Sequence, residues 1–196
     1  MTHVITLPRY IALCGNPLSG KSTVQEILRR DYGVTPVDDG HAIRSIAVEH
    51  MGLTWDQVRT EAGKRETVEL AGRDWVVRDL LGQIGNRLED LLGPHAMPFL
   101  TERQVAAKPG HFSFGSVRRD QGRYYQERGG VVIEISNPSA LPSPYEFDQY
   151  DRSVIDLTIE NGGRCLRTLE KAVFAALLEL HARRADWLAN VTKVAA

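Results

Sequence analysis

The stretch Gly15-Asn16-Pro17-Leu18-Ser19-Gly20-Lys21-Ser22 limits this chain more than any other part of it. It fits the spacing G-x-x-x-x-G-K-[ST], in which each fixed position meets a physical need. Glycines let the backbone turn so that successive N–H groups point inward at phosphate oxygens. A helix opening at the lysine adds its positive N-terminal end. The lysine brings a point charge to the β- and γ-phosphates, and the serine hydroxyl is a ligand for Mg2+. The flanks agree. Tyr10 to Cys14 (YIALC) reads as a short buried strand, and Val24, Ile27 and Leu28 recur at helical spacing. The expected phosphate-binding set is Gly15, Asn16, Pro17, Leu18, Ser19, Gly20, Lys21, Ser22 and Thr23, with ATP and Mg2+ as the ligands.

Further strands are expected over 35–38, 111–117, 131–135 and 153–159. Helices are expected over 22–30, 40–50, 55–61, 74–92, 98–106, 120–128 and 164–189. Asp38 or Asp39 is a plausible cap for the helix at 40, and Thr54 for the one at 55. In the helix at 74–92 the apolar stripe is Val77, Leu80, Leu81, Ile84, Leu88 and Leu91; in the last helix it is Leu166, Leu169, Val173, Leu177 and Leu180. Strands alternating with helices argue for an α/β, three-layer P-loop fold with a mostly parallel central sheet. Residues 40–107 read as about four helices and no strand, a helical insertion in a single domain whose core spans about 8–39 and 108–190.

With 196 residues, 42% of them hydrophobic, the chain can bury a real core, which argues against disorder. A formal net charge of −1 lacks the basic excess that a nucleic-acid binder uses to displace counterions. Two cysteines, Cys14 and Cys165, make neither a disulfide framework nor a zinc pattern. The first residues lack the pattern of a signal peptide, and no apolar run is long enough to span a bilayer. A cytoplasmic location is therefore expected, with no membrane association.

Arginines spread outside the P-loop suggest a second anionic ligand, because guanidinium binds phosphate bidentately and keeps its charge. Asp39, Arg44, Lys64, Arg65, Arg78 and Arg87 lie in the insertion or where it begins. For any one of these arginines the alternative is a surface ion pair with Glu61, Glu66 or Asp74. Arg78, Gly82 and Gly85 share a helix face with Asn86 beside them. Two glycines on one face point to a close approach, by a base or sugar or by a second helix. Arg118 and Arg119 follow a strand end, where α/β sheets bind ligands. A pair of arginines at a helix start opposes the helix dipole, which favours a functional role for them. Arg118 is then a candidate to stabilise the transferring phosphoryl group, with Arg119 on the ATP phosphates.

Taken in order, GNPLSGKSTVQEIL, VDDGHAIRSIA, RDLLGQIGNRLEDLLG, SFGSVRRDQGRYYQERGGVVIEI and DLTIENGG resemble the bacteriophage deoxynucleoside monophosphate kinases, a P-loop family of nucleoside-monophosphate-kinase type. The resemblance spans about residues 10–180, and within it only the P-loop is a specific motif. It implies transfer of the ATP γ-phosphoryl group to a deoxynucleoside 5′-monophosphate. Lys21, Arg118 and Asp39 would be catalytic, Ser22 would hold Mg2+, and Asp39, Arg44, Arg65, Arg78, Gln83 and Asn86 would bind the acceptor. The family's strand-end segment often reads Asp-Val-Arg; here it is Ser116-Val117-Arg118, which leaves a supporting carboxylate to Asp38 or Asp39. Rival readings are another small-molecule P-loop kinase, an ATP-holding regulatory protein, and a 5′-end nucleic-acid kinase, which the charge disfavours. The loop 137–144 is expected to border the adenine. A homodimer is compatible with a kinase of this size.

Overall fold

A computed structural model describes residues 5–163 and 165–194 of the chain. Strand β1 (Tyr10–Cys14) lies at the centre of a five-stranded sheet and is buried at every position. The other strands are β2 (Thr35–Val37), β5 (Phe112–Phe114), β6 (Val131–Ser136) and β7 (Leu157–Glu160), and the spatial order is β2-β5-β1-β6-β7. All four pairings are parallel; Ile11, for example, sits between Ser113 and Val131. Successive side chains of β1 face opposite ways, and this alternation founds two cores. Ile11 and Leu13 join Ile133, Ile135 and Ile159 against helices α1 (Lys21–Tyr32) and α7 (Leu166–Val194). Tyr10, Ala12 and Cys14 join Phe112, Phe114 and Val132 against the short helix α6 (Gly122–Gln126). On that face Phe114 stacks on Tyr125 with ring centres 4.3 Å apart.

Between β2 and β5 the chain leaves the sheet. It forms α2 (His41–Met51), α3 (Trp55–Arg59), a 3₁₀ turn (Gly63–Arg65), α4 (Val77–Leu92) and α5 (Ala96–Glu102). Thr54 caps α3 through a capping box with Gln57. The insertion has its own core of Ala47, Leu53, Val58, Val77, Leu80 and Leu81. It also contains strands β3 (Thr67–Leu70) and β4 (Arg73–Val76), an antiparallel hairpin, so the expectation of helices without a strand is corrected. Ala71 and Gly72 turn at φ 52° and 73°, both positive, as a two-residue hairpin turn requires. The hairpin packs Val68, Leu70 and Trp75 onto the insertion core.

Several other expectations shorten or shift. The strand expected at 111–117 covers only Phe112–Phe114, and that at 153–159 begins at Leu157 after a 3₁₀ turn. α6 starts at Gly122, so Arg118 and Arg119 lie in the preceding loop and the dipole argument does not apply to them. Gly40, not Asp38 or Asp39, stands at the N-cap of α2, though Asp38 Oδ1 accepts its N–H. Leu91 is 77% exposed and Leu166 50%, so both apolar stripes run beyond the surface that covers them. No helix among the described residues is long and apolar enough to cross a membrane.

Leu177 is fully buried between α7 and the sheet. Leu177→Ala should lower stability by about 2–5 kcal/mol, measured by urea unfolding. A loss under about 1 kcal/mol would mean that this face is loosely packed.

Candidate functional site

The P-loop is built by backbone conformations that few residues tolerate. Gly15 and Gly20 adopt φ 138° and 106°, and Leu18, with φ 62°, lies at the exposed tip. A Cβ on Gly15 would lie 2.4 Å from the carbonyl oxygen of Ile135, and one on Gly20 would lie 2.4 Å from Asn161 Nδ2. Asn161 donates to Ser19 O at 2.8 Å, and Asn16 donates to Ala140 O at 3.0 Å. The loops after β7 and β6 thus each tie to the P-loop, the 137–144 segment through Ala140. Lys21 Nζ donates to Gly15 O at 2.7 Å and Asn16 O at 2.8 Å, curled over its own loop. Burial lowers its pKa; Cys14 and Asp148 oppose that shift and Arg118 adds to it. Ser22 is exposed in the first turn of α1, as a metal-ligating hydroxyl must be, with Thr23 exposed beside it. Among the described residues no group of three His, Cys, Asp or Glu side chains could hold a metal by itself. A cation here would depend on phosphate oxygens for most of its ligands.

Beside the P-loop, at the carboxyl ends of β2 and β5, a cavity opens between the sheet and the insertion. Asp39, Arg44, Asn86, Glu89, Arg118 and Arg119 form its polar wall. Ile43, Leu81, Met97, Pro98, Val117 and Tyr125 form its apolar one. Arg44 is held by an ion pair to Asp38, and its guanidinium lies over Gly40, where a Cβ would come within 2.7 Å of Cζ. Asp39 Oδ2 accepts the Ser116 N–H, so a carboxylate stands in space where the sequence has only a serine. Asp39 Oδ1 is buried with no hydrogen-bond partner among the described residues. Burial pushes the Asp39 carboxyl up from 3.8 to about 7, against the Ser116 N–H, which favours the charged form.

The consecutive arginines diverge. Arg118 Nη2 pairs with Asp148 at 2.9 Å, and Asp148, whose side chain is 10% exposed, also faces Arg78 at 3.9 Å. Arg119 is a non-glycine residue at φ 46°. Two backbone hydrogen bonds of 2.6 Å, to Gln149 O and from Asp151 N, hold it there. Its guanidinium turns to Glu89 and Asn86 on α4. It is therefore placed in the cavity wall, bonded to the insertion rather than to any P-loop residue.

Of the expected acceptor residues, Asp39, Arg44 and Asn86 line this cavity together with Arg118 and Arg119. Arg78 does not line it; it pairs with Glu61 at 2.8 Å and reaches towards Asp148. Arg65 and Gln83 are exposed and outside the cavity lining. Lys64 and Arg87 make surface ion pairs with Glu61 and Asp90. Sequence reasoning missed Glu89, Gln121, Asp148 and Asn161. Glu89 and Asn86 sit three residues apart on the Gly82–Gly85 face, a spacing that could have identified Glu89.

No protein-family model matches the chain, and no curated protein does. Solved structures resemble its fold. The Thermus thermophilus protein TT1252 aligns over 89% of this chain and 99% of its own, at 21% identity and a TM-score of 0.51. A gluconokinase from Sinorhizobium meliloti aligns over 92% and 98% at 15% identity and TM-score 0.46. A shikimate kinase from Acinetobacter baumannii, solved with shikimate, aligns over 89% and 95% at 16% and 0.48. At 21% identity the likeness to TT1252 is one of fold, the α/β architecture with a parallel central sheet.

The Asp39 shift sets a pH dependence. Its folded pKa lies above its unfolded one, so the stability it contributes is full below about 3.8 and is lost as pH rises to about 7. Asp39→Asn should therefore melt above the wild type at pH 8 and converge with it towards pH 4. Parallel melting curves across that range, by circular dichroism, would contradict the burial of an acidic group here.

Proposed function

We propose that this chain transfers the γ-phosphoryl group of ATP to the 5′-phosphate of a deoxynucleoside monophosphate. The observation that carries the reading is the convergence of arginines from two segments, Arg44 on α2 and Arg118 and Arg119 on the loop after β5, on one cavity beside the P-loop lysine. An anionic acceptor suits a cavity lined by several guanidinium groups, of which Arg44 and Arg118 are the ones nearest in role to the phosphate. The coarser part, a small-molecule P-loop kinase, is supported by the loop geometry and the parallel sheet; the deoxynucleotide acceptor is supported by the resemblance in sequence.

In this reading an acceptor phosphate oxygen attacks the γ-phosphorus in line. The bond to the β,γ-bridging oxygen breaks, and ADP leaves with that electron pair. The acceptor oxygen is already ionised at neutral pH and needs no strong base. Lys21 leaves its loop carbonyls for the phosphates, Arg118 leaves Asp148 for the transferring group, and Arg44 holds the acceptor. The Ser22 hydroxyl would hold Mg2+, which would supply charge neutralisation on the transferred phosphate. The 137–144 loop, bonded to Asn16, is the proposed border of the adenine.

A second reading is favoured by Asp39. A half-buried carboxylate in the cavity lining, with one oxygen unpartnered among the described residues and a pKa raised to about 7, suits a general base for a hydroxyl acceptor. The two readings differ in acceptor class, so one assay separates them. ADP formation is followed with deoxynucleoside and ribonucleoside monophosphates, and with sugars and hydroxy acids. The phosphate-acceptor reading predicts turnover with one or more deoxynucleotides. Lys21→Ala should lower kcat/KM by about 10³ or more, and Arg118→Ala by about 10²–10³. Turnover with a sugar or hydroxy acid instead, abolished by Asp39→Asn, would favour the second reading.

A further inference from the structure

Helix α4 presents one stripe to the cavity: Gly82, Gly85, Asn86 and Glu89, spaced three and four residues apart. Glycine is unfavourable inside a helix, so a pair on one face needs a reason. Packing against another helix does not supply one at Gly85, where an added Cβ would meet nothing beyond its own helix backbone within 4 Å among the described residues. The space is left open towards the cavity. The lining also includes the apolar side chains Ile43, Met97 and Pro98. Further along the same stripe the character changes. Glu89, 11% exposed, accepts from Arg119 and from Gln121 Nε2 at 2.9 Å, while Asn86 Oδ1 accepts from Arg119 Nη2 at 3.2 Å.

We infer that this end of the cavity seats the heterocyclic base of the acceptor and that Glu89 sets which base is preferred. The inference rests on the phosphate-acceptor reading above. The ring lies flat over the backbone at Gly82 and Gly85, where a side chain would stand in its way. Its edge meets a carboxylate next to a guanidinium, an acceptor beside donors. A carboxylate keeps lone pairs beyond the two that Arg119 and Gln121 use, so Glu89 can take an N–H of the base as well. Arg119, fixed in its left-handed conformation, holds that carboxylate in place. A sugar phosphate without a base has nothing to offer this end.

The test compares the full-length wild type with Gly85→Ala, Gly85→Leu and Glu89→Gln. For each, kcat/KM is measured with the four common deoxynucleoside monophosphates. The base-free phosphate 2-deoxyribose 5-phosphate is measured as a competitive inhibitor. Gly85→Leu should lower kcat/KM for the best nucleotide at least about tenfold, with Gly85→Ala intermediate. It should leave the Ki of the base-free competitor within about twofold. Both residues are better helix formers than glycine, so the melting temperature should not fall, which separates occlusion from misfolding. Glu89→Gln should change the ratios among the four bases by at least about fivefold, the scale of one hydrogen-bonded base contact. Equal loss for nucleotide and base-free competitor in Gly85→Leu, or unchanged base ratios in Glu89→Gln, would overturn the inference while the kinase reading stands. A wild type that turns over no nucleotide would instead remove the reading on which it rests.

Discussion

The structure depends on one close approach: the backbone at Gly15 against the carbonyl of Ile135, where even a methyl group would collide at 2.4 Å. Because β1 ends there without a side chain, the chain turns sharply beside β6 and delivers Gly20 and Lys21 to the start of α1. Everything functional is measured from that turn. Asn16 and Ser19 are tied to the loops after β6 and β7, and the ends of β2 and β5 face the same side of the sheet. A crossover in strand order at a central strand places ligands beyond the carboxyl ends. Here that position opens onto the insertion, so the two proposed substrates meet at the sheet edge of the cavity.

The second organising feature is the splitting of Arg118 from Arg119. The two are consecutive, but Arg119 is itself left-handed, pinned by two backbone hydrogen bonds to Gln149 and Asp151, and the side chains diverge. One guanidinium goes to Asp148, on the segment that follows β6; the other goes to Glu89, on the insertion. A single dipeptide therefore links three parts of the molecule whose relative position fixes the site. Asp148 is an acidic partner for Arg118 and faces Arg78, so in the proposed reading a phosphate that took its place beside Arg118 would exchange one anion for another. Without a ligand, the Asp148 carboxylate keeps Arg118 ordered.

Much of this was legible in the residues. The P-loop, the central strand and the amphipathic α1 followed from spacing alone, and Val24, Ile27 and Leu28 are all buried. The cavity set was legible in part: Asp39, Arg44, Asn86 and Arg118 converge, while Arg65 and Gln83 do not, since helical spacing cannot tell one polar face from another. The hairpin was missed because its turn is Ala71-Gly72 rather than an Asn-Gly type, and because Trp75 and Val76 run without a break into the apolar pattern of α4. The alternation of Val68, Leu70 and Trp75 was the available signal. Glu89 and Asp148 were missed for another reason. A carboxylate on a polar helix face or in a proline-rich loop looks solvated until the arginine that buries it is located, and that arginine is distant in sequence.

The central claim is that ATP on the P-loop and an acceptor phosphate in the cavity lie on one line across Lys21 and Arg118. A bisubstrate analogue, adenosine joined to a deoxynucleoside through five phosphates, tests it by calorimetric titration. If both sites lie on that line, the analogue should bind at least about 100-fold more tightly than ATP alone, because the second half binds intramolecularly. The gain should vanish in Arg118→Ala. An analogue that binds no more tightly than ATP would show that the cavity does not receive the acceptor phosphate, and would contradict the account.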